Sequence, residues 1–217
     1  MNKKIIGIAG QMQNGKDSVA DYLALKLNQN PITDNDYWRR VAFAAGVKKV
    51  FKDNFNADDV FIEKWKVKQE IPEGFKKTVR KSLQFIGDGF REIQSTIWVD
   101  LLFRNEKPPI IISDVRYINE LIKVKDEGGI NILVWRPGFE NNDPNGSEAQ
   151  IKPVMEYFKA TECNGSTEGH IDYTKCSREA EQSIGYIDFF IRNDSTIENL
   201  YKKIDEVLVP YVNQKLS

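Results

Sequence analysis

The sequence predicts an α/β fold, a doubly wound five-stranded parallel sheet with helices on both faces. Five β-rich runs recur at Ile5–Ala9, Arg40–Ala44, Pro109–Ser113, Ile130–Trp135 and Asp188–Arg192, and the stretches between them carry helical periodicity. Several of the runs are continuously apolar, as strands covered on both faces must be. A third observation is glycine and lysine spacing directly after the first run, in Gly10-Gln11-Met12-Gln13-Asn14-Gly15-Lys16-Asp17-Ser18.

That first element pair reads as a strand feeding a phosphate-cradling loop and then a helix. Converging backbone N–H donors are needed around a polyphosphate, and glycine at both ends of the loop lets the chain turn tightly without a Cβ in the way. Lys16 is expected to reach the β- and γ-phosphates, with the backbone from Gln11 to Ser18, including Gln13, Asn14, Gly15 and Asp17, holding the rest. The following run to Leu27 places apolar residues at helical spacing, so its positive dipole end faces the same anion. The residue after the lysine is usually Ser or Thr, whose hydroxyl ligates Mg²⁺. Here it is Asp17, with the hydroxyl one place later at Ser18. Asp17 is therefore read either as a Mg²⁺ ligand, direct or through water, or as the helix cap. The placement of Ser18 is similar to that in adenylate-kinase-like enzymes and points to small-molecule kinases.

The third strand ends in Ser113-Asp114-Val115-Arg116. An acid at a strand end suits a metal-organising role beside a phosphate loop, which makes Asp114 the second candidate ligand, with helix capping as the alternative. Arg116 at the same edge can fork onto a phosphate. Further candidate cations near strand ends or on intervening helices are Arg39, Arg40, Lys48, Arg80, Arg91, Arg136 and Arg178. Phosphoryl transfer calls for such cations because three equatorial oxygens share the transferring charge.

Two connections are too long to be simple crossovers. Residues 45–108 contain helical patterns at Val79–Ile86 and Ile97–Phe103 and read as an inserted helical subdomain. Residues 137–185 are polar, with Glu140-Asn141-Asn142-Asp143-Pro144-Asn145-Gly146-Ser147, and read as a lid-like segment. The last pattern places Ile197, Leu200, Tyr201, Ile204, Val207 and Leu208 on one face of a closing helix. The whole, residues 1–217, is expected to be a single domain carrying these two insertions.

Composition is that of an ordinary globular protein, with 29% charged and 41% hydrophobic residues. A net charge of −1 argues against nonspecific binding to a nucleic acid polymer. Met1-Asn2-Lys3-Lys4 leads into a short apolar strand with no long hydrophobic segment or small-residue cleavage site, so the expectation is a cytoplasmic protein without a membrane partner. Cys163, Cys176 and the single His170 do not complete a zinc site, and the cysteines are expected to be free thiols.

Taken together, the GKDS loop, Arg40-Val41-Ala42-Phe43-Ala44 with Val47-Lys48, Val79 to Asp88 followed by Ile97-Trp98-Val99, Asp114-Val115-Arg116 with Asn119-Glu120, Val134-Trp135-Arg136-Pro137-Gly138 and Ile191-Arg192-Asn193-Asp194-Ser195 resemble the phage-type deoxynucleoside monophosphate kinases. The resemblance implies a P-loop NTPase fold and transfer of the ATP γ-phosphoryl group to a deoxynucleoside monophosphate, with ATP and Mg²⁺ as cofactors and nucleotides as partners. It implies an acceptor site on Lys48, Arg80, Trp98 and Arg116, with Trp98 as the base-stacking candidate against a competing core role. Trp38 and Trp65 read as structural. Arg136 and Arg178 would close over the phosphates, and Asn193 and Asp194 would pass the donor base. The lid departs from the family pattern: Cys176-Ser177-Arg178-Glu179 stands where relatives place a histidine, and residues 139–169 are longer than expected. Two alternatives stay open, a phosphomevalonate-type kinase and a nucleotide-binding regulatory module without transfer activity. A homodimer is compatible with the sequence, which leaves the oligomeric state open.

Overall fold

The computed structural model describes residues 3–29, 37–68, 70–139, 151–156, 169–170 and 185–216. They form two compact units, one of residues 1–42 and 107–217 and the other of residues 43–106.

The first unit is built on a sheet. Its elements are β1 (Ile5–Ala9), α1 (Lys16–Leu27), β2 (Arg39–Val41), β3 (Ile110–Val115), α6 (Ile118–Asp126), β4 (Ile130–Trp135), α7 (residues 151–156), β5 (Gly169–His170), β6 (Phe189–Arg192), α8 (Ile197–Lys203) and α9 (Val209–Leu216). The strand order is β2-β3-β1-β4-β6-β5. The five strands expected from the sequence are parallel to their neighbours. A two-residue antiparallel strand, β5, is added at the edge, with His170 opposite Phe189. From β1 the chain passes to β2 at one edge, steps back to β3 beside β1, then crosses to β4 on the other side of β1 and outward to β6. This doubly wound order leaves a crevice at the carboxyl ends of the central strands.

Side-chain alternation divides the core. Ile6 and Ile8 of β1 face α1, α8 and α9 in a buried cluster with Val19, Leu23, Ile132, Leu200, Ile204 and Leu208. The other face of the sheet meets α6, whose Leu121 and Val124 are fully buried. Full burial of each such side chain stabilises the fold by about 1.5–3 kcal/mol relative to exposure.

Several boundaries differ from expectation. β2 stops at Val41 because Phe43 already has helical backbone angles and Ala44 opens the next helix. β3 runs on through Asp114 and Val115. The closing helix does not end at Leu208: a π-helical turn, Ile204–Leu208, joins α8 to α9. The Val209 N–H donates to Ile204 O across that wider turn, which accommodates Pro210, a residue with no N–H to give and a ring that crowds an ordinary helical turn. The buried stripe is consequently Leu200, Ile204, Leu208 and Val212, while Ile197 and Val207 are exposed.

The second unit is helical: α2 (Ala44–Phe55), α3 (Asp59–Lys68), α4 (Val79–Ile93) and α5 (Ile97–Asn105). Phe51, Ile62 and Val79 form its buried centre, with Phe61, Trp65, Phe75, Leu83 and Ile86 packed around them. Thr78 caps α4 by accepting from Lys81 N–H at 3.3 Å. Most of residues 137–185, Arg178 among them, lies outside the described residues. Among those described, no helix is long and apolar enough to cross a membrane.

Candidate active site

The loop between β1 and α1 departs from ordinary backbone at three points: Gly10, Gln13 and Gly15 have φ of 143°, 66° and 94°. Two of the three need glycine for space as well as for φ. A Cβ on Gly10 would sit 2.4 Å from the Val134 carbonyl oxygen, and one on Gly15 would sit 2.5 Å from Asn193 Nδ2. Gly15 is the N-cap of α1, and no side chain caps the helix. No local side chain takes up a first-turn N–H group, the usual arrangement for receiving an anion. Asp17 lies in the first turn but is not the cap, which corrects that reading.

Three polar residues of the loop are buried: Gln11, Asn14 and Lys16. Lys16 Nζ donates to Gln11 O at 2.7 Å, so the ammonium lies over the loop's own backbone. Asn14 Nδ2 donates to Val134 O at 3.2 Å, and Asn193 Nδ2 donates to Asn14 O at 3.1 Å. The loop is therefore tied to the carboxyl ends of β4 and β6. Asn14 Oδ1 is buried with no hydrogen-bond partner among the described residues, a desolvation penalty of about 1–3 kcal/mol held inside the loop.

Asn193 and Asp194 have uses other than a free surface for a base. Asn193 is 9% exposed, with its side chain on the loop and its N–H on Trp135 O at 2.7 Å. Asp194 accepts from Lys203 Nζ at 2.9 Å and lies 3.1 Å from Arg192 Nε. Burial works to raise the Asp194 carboxyl, but the Lys203 hydrogen bond and charge, with Arg192, outweigh it and hold it below the usual carboxylate range.

At the end of β3, Asp114 is partly buried and Arg116 follows at the turn into α6. Glu120, itself 2% exposed, organises that turn: its Oε2 accepts from the N–H groups of Arg116 at 2.8 Å and Tyr117 at 3.0 Å. Sequence reasoning gives Glu120 no role, although a glutamate three residues after a helix N-cap is a local capping signal. α6 is capped at Tyr117, so Asp114 does not serve as its cap. Arg136, just beyond β4, places its guanidinium carbon 3.9 Å from the Phe139 ring centroid.

Asp17 is paired with Arg40, which also binds Asp21 at 2.8 Å and donates to Ser113 Oγ at 3.0 Å. Arg40, one of the candidate cations, is thus engaged in joining β2 to α1 and β3. Among the described residues no group of three or more His, Cys, Asp or Glu side chains converges on a metal position. Mg²⁺ is commonly held by one or two carboxylates together with phosphate oxygens and water. Asp114, at the end of β3, is a carboxylate of that kind, and Asp17 is one that is paired with Arg40.

Because β1, β3, β4 and β6 are parallel, the structure gathers Gln11–Ser18, Asp114, Arg116, Arg136, Asn193 and Asp194 at one edge of the sheet. Lys48, Arg80 and Trp98 belong to the helical unit. Lys48 binds Glu63 at 2.7 Å, and this hydrogen bond holds the Glu63 carboxyl below its ordinary range. Trp98 is 3% exposed, donates from Nε1 to Gly87 O at 3.0 Å and packs against Phe90 at 5.3 Å between ring centroids. A Cβ on Gly46 would lie 2.9 Å from its Cε3. This geometry assigns Trp98 to the core in place of base stacking.

No protein-family model matches the chain. A protein of Acanthamoeba polyphaga mimivirus named "Putative deoxynucleotide monophosphate kinase" is 30% identical over 172 residues, covering 70% of this chain and 84% of that protein. A solved structure of a protein assigned as a kinase from Chloroflexus aurantiacus shares 12% identity over 100% of both chains with a TM-score of 0.40, a likeness too slight to carry an argument. The relationship to the mimivirus protein extends over most of both chains, and the chain belongs to the deoxynucleotide monophosphate kinase family.

Proposed function

We propose that this kinase transfers the γ-phosphoryl group of ATP to a deoxynucleoside 5′-monophosphate, forming the diphosphate. The observation that carries the reading is the glycine-bounded loop at the carboxyl end of β1, with buried Lys16 folded over it and an α-helix beginning at that lysine. The mimivirus relative, named for deoxynucleotide monophosphates, supports the acceptor class.

On this reading the backbone from Gln11 to Ser18 holds the donor phosphates, and Lys16 leaves Gln11 O to neutralise charge on the β- and γ-oxygens. Arg116 takes the acceptor phosphate, and Arg136 and Arg178 neutralise the transferring group. Mg²⁺, when bound, supplies charge neutralisation on the phosphates, and Asp114 is the residue that would hold it. An acceptor monophosphate is largely a dianion near neutrality, so the attacking oxygen requires no strong general base. Positioning and exclusion of water then carry the catalysis.

A coupled ADP-release assay with ATP and a panel of deoxynucleotides, ribonucleotides and other phosphorylated metabolites tests the proposal. Stimulation by one or more deoxynucleoside monophosphates is expected. Stimulation only by a non-nucleotide such as a phosphomevalonate-type acceptor, or by nothing in the panel, overturns it.

A further inference from the structure

We infer that Asn193 is a positioning residue of the phosphate loop: its side-chain amide sets the orientation of the Asn14–Gly15 peptide and so aims the Gly15 N–H at the donor phosphates. The inference rests on the phosphate-loop reading above and concerns how the loop is held ready for its anion.

Asn193 is anchored twice. Its backbone N–H donates to Trp135 O at 2.7 Å, fixing it where β6 leaves β4, and its buried side chain donates from Nδ2 to Asn14 O at 3.1 Å. The reverse placement of its amide would set Oδ1 against a carbonyl oxygen, so the bond itself determines which atom is the donor. In a trans peptide the C=O and N–H vectors point in opposite directions. Holding the Asn14 carbonyl toward β6 therefore turns the Gly15 N–H away from β6, to the other side of the peptide. Gly15 is the N-cap of α1, a position whose N–H is suited to an anion, and no side chain caps the helix.

Two further observations converge on the same peptide. Gly15 has φ of 94°, and a Cβ there would lie 2.5 Å from Asn193 Nδ2, so glycine is what allows the amide to approach. Asn14 is itself pinned from the other direction by its Nδ2 bond to Val134 O at 3.2 Å. Ordinary helix N-termini set this geometry with their own local side chains. Here a residue 179 positions away supplies the hydrogen bond, and no side chain caps α1. Preorganised N–H donors are effective because no reorientation is required when charge arrives.

Inorganic tripolyphosphate separates this role from contact with a donor base, since it has phosphates and no base. Calorimetric titrations would compare tripolyphosphate and ATP on the full chain, its Asn193→Asp variant and its Asn193→Leu variant, with thermal melting as the control for folding. Asn193→Asp keeps the shape but opposes a carboxylate to the Asn14 carbonyl, and Asn193→Leu removes the donor at similar volume. Both variants are expected to weaken tripolyphosphate and ATP by the same factor, about tenfold or more, and to raise the KM for ATP while leaving the acceptor KM unchanged. Unaltered tripolyphosphate affinity in a folded variant, whether or not ATP weakens, overturns the inference. An unsubstituted chain that binds neither tripolyphosphate nor ATP overturns the phosphate-loop reading instead.

Discussion

At the amino end of β4, Asn131 is fully buried and donates from Nδ2 to Leu121 O at 3.0 Å and Tyr186 O at 2.9 Å. Its N–H donates to Asp188 Oδ2 at 2.8 Å, and Asp188 N–H returns a bond to Asn131 O at 2.9 Å. Lys125 pairs with the same carboxylate, and Tyr211 donates to Asp188 O at 3.4 Å. At the carboxyl end of the same strand, Val134 and Trp135 receive Asn14 and Asn193. Each end thus holds buried asparagine, and Asn131 and Asn14 each leave Oδ1 without a partner among the described residues. The difference lies in the backbone they serve. At the amino end the amides join regular elements to one another, whereas at the carboxyl end they hold a loop with three positive φ angles at the start of an uncapped helix. A buried polar network is therefore insufficient to mark a site. The marker is such a network bound to strained, glycine-bounded backbone at the start of a helix that no side chain caps.

The largest effect is expected at Lys16, at the carboxyl end of the strands. Lys16→Ala is expected to lower kcat by about 10²–10³-fold or more, with thermal melting showing a folded protein; near-normal turnover would remove the loop from the chemistry. Asn131→Ala probes the opposite end and should reduce unfolding free energy by about 1–3 kcal/mol, read from urea melts, while turnover per folded molecule is preserved. A loss of turnover beyond the unfolded fraction would show that the two ends are functionally connected.

The two ends should also respond to opposite pH extremes, with smaller effects. Tyr211 lies beside Asp188 at the amino end, where burial first and the Asp188 charge second push its hydroxyl far above the ordinary value of 10.0. The folded state holds that proton more tightly than the unfolded chain, so its stability contribution is complete below pH 10 and declines as pH rises beyond it. Tyr211→Phe should flatten this alkaline decline in urea melts, and an unchanged slope would dissociate Tyr211 from it. Asp194, at the carboxyl end, has the reverse sign. Its depressed folded pKa contributes stability above the ordinary carboxylate range, near 3.8, and that contribution is lost as pH falls through the lower folded value. Lys203→Met should move the Asp194 titration upward in carboxyl-resolved NMR and shrink the acid limb. Partial solvent exposure makes this the smallest of the four effects.

Much of the framework was legible in the chain. Ile5–Ala9 and Ile130–Trp135 are strands over the residues expected, because continuous apolar character and β-branching act locally. The loop was legible because glycine at its ends and lysine at its close have local mechanical roles. Trp98 was not: its burial depends on Gly46 leaving room and on the Gly87 carbonyl accepting its indole proton, contacts that helical spacing does not specify. The π turn at Ile204–Leu208 was concealed in the same way, since Pro210 suggests a stop when read alone and is accommodated only through a wider turn.

Neighbouring residues and short-range periodicity were enough to read the alternation of strands and helices, the glycine-bounded loop and the acid and arginine at the end of β3. Long-range packing set the rest: Arg40 pairs with Asp17, Trp98 is buried and Asn193 reaches the Asn14 carbonyl. Those outcomes follow from which strand ends and helix faces become neighbours. A hydrogen bond between residues 179 apart leaves no periodic trace in the chain that makes it.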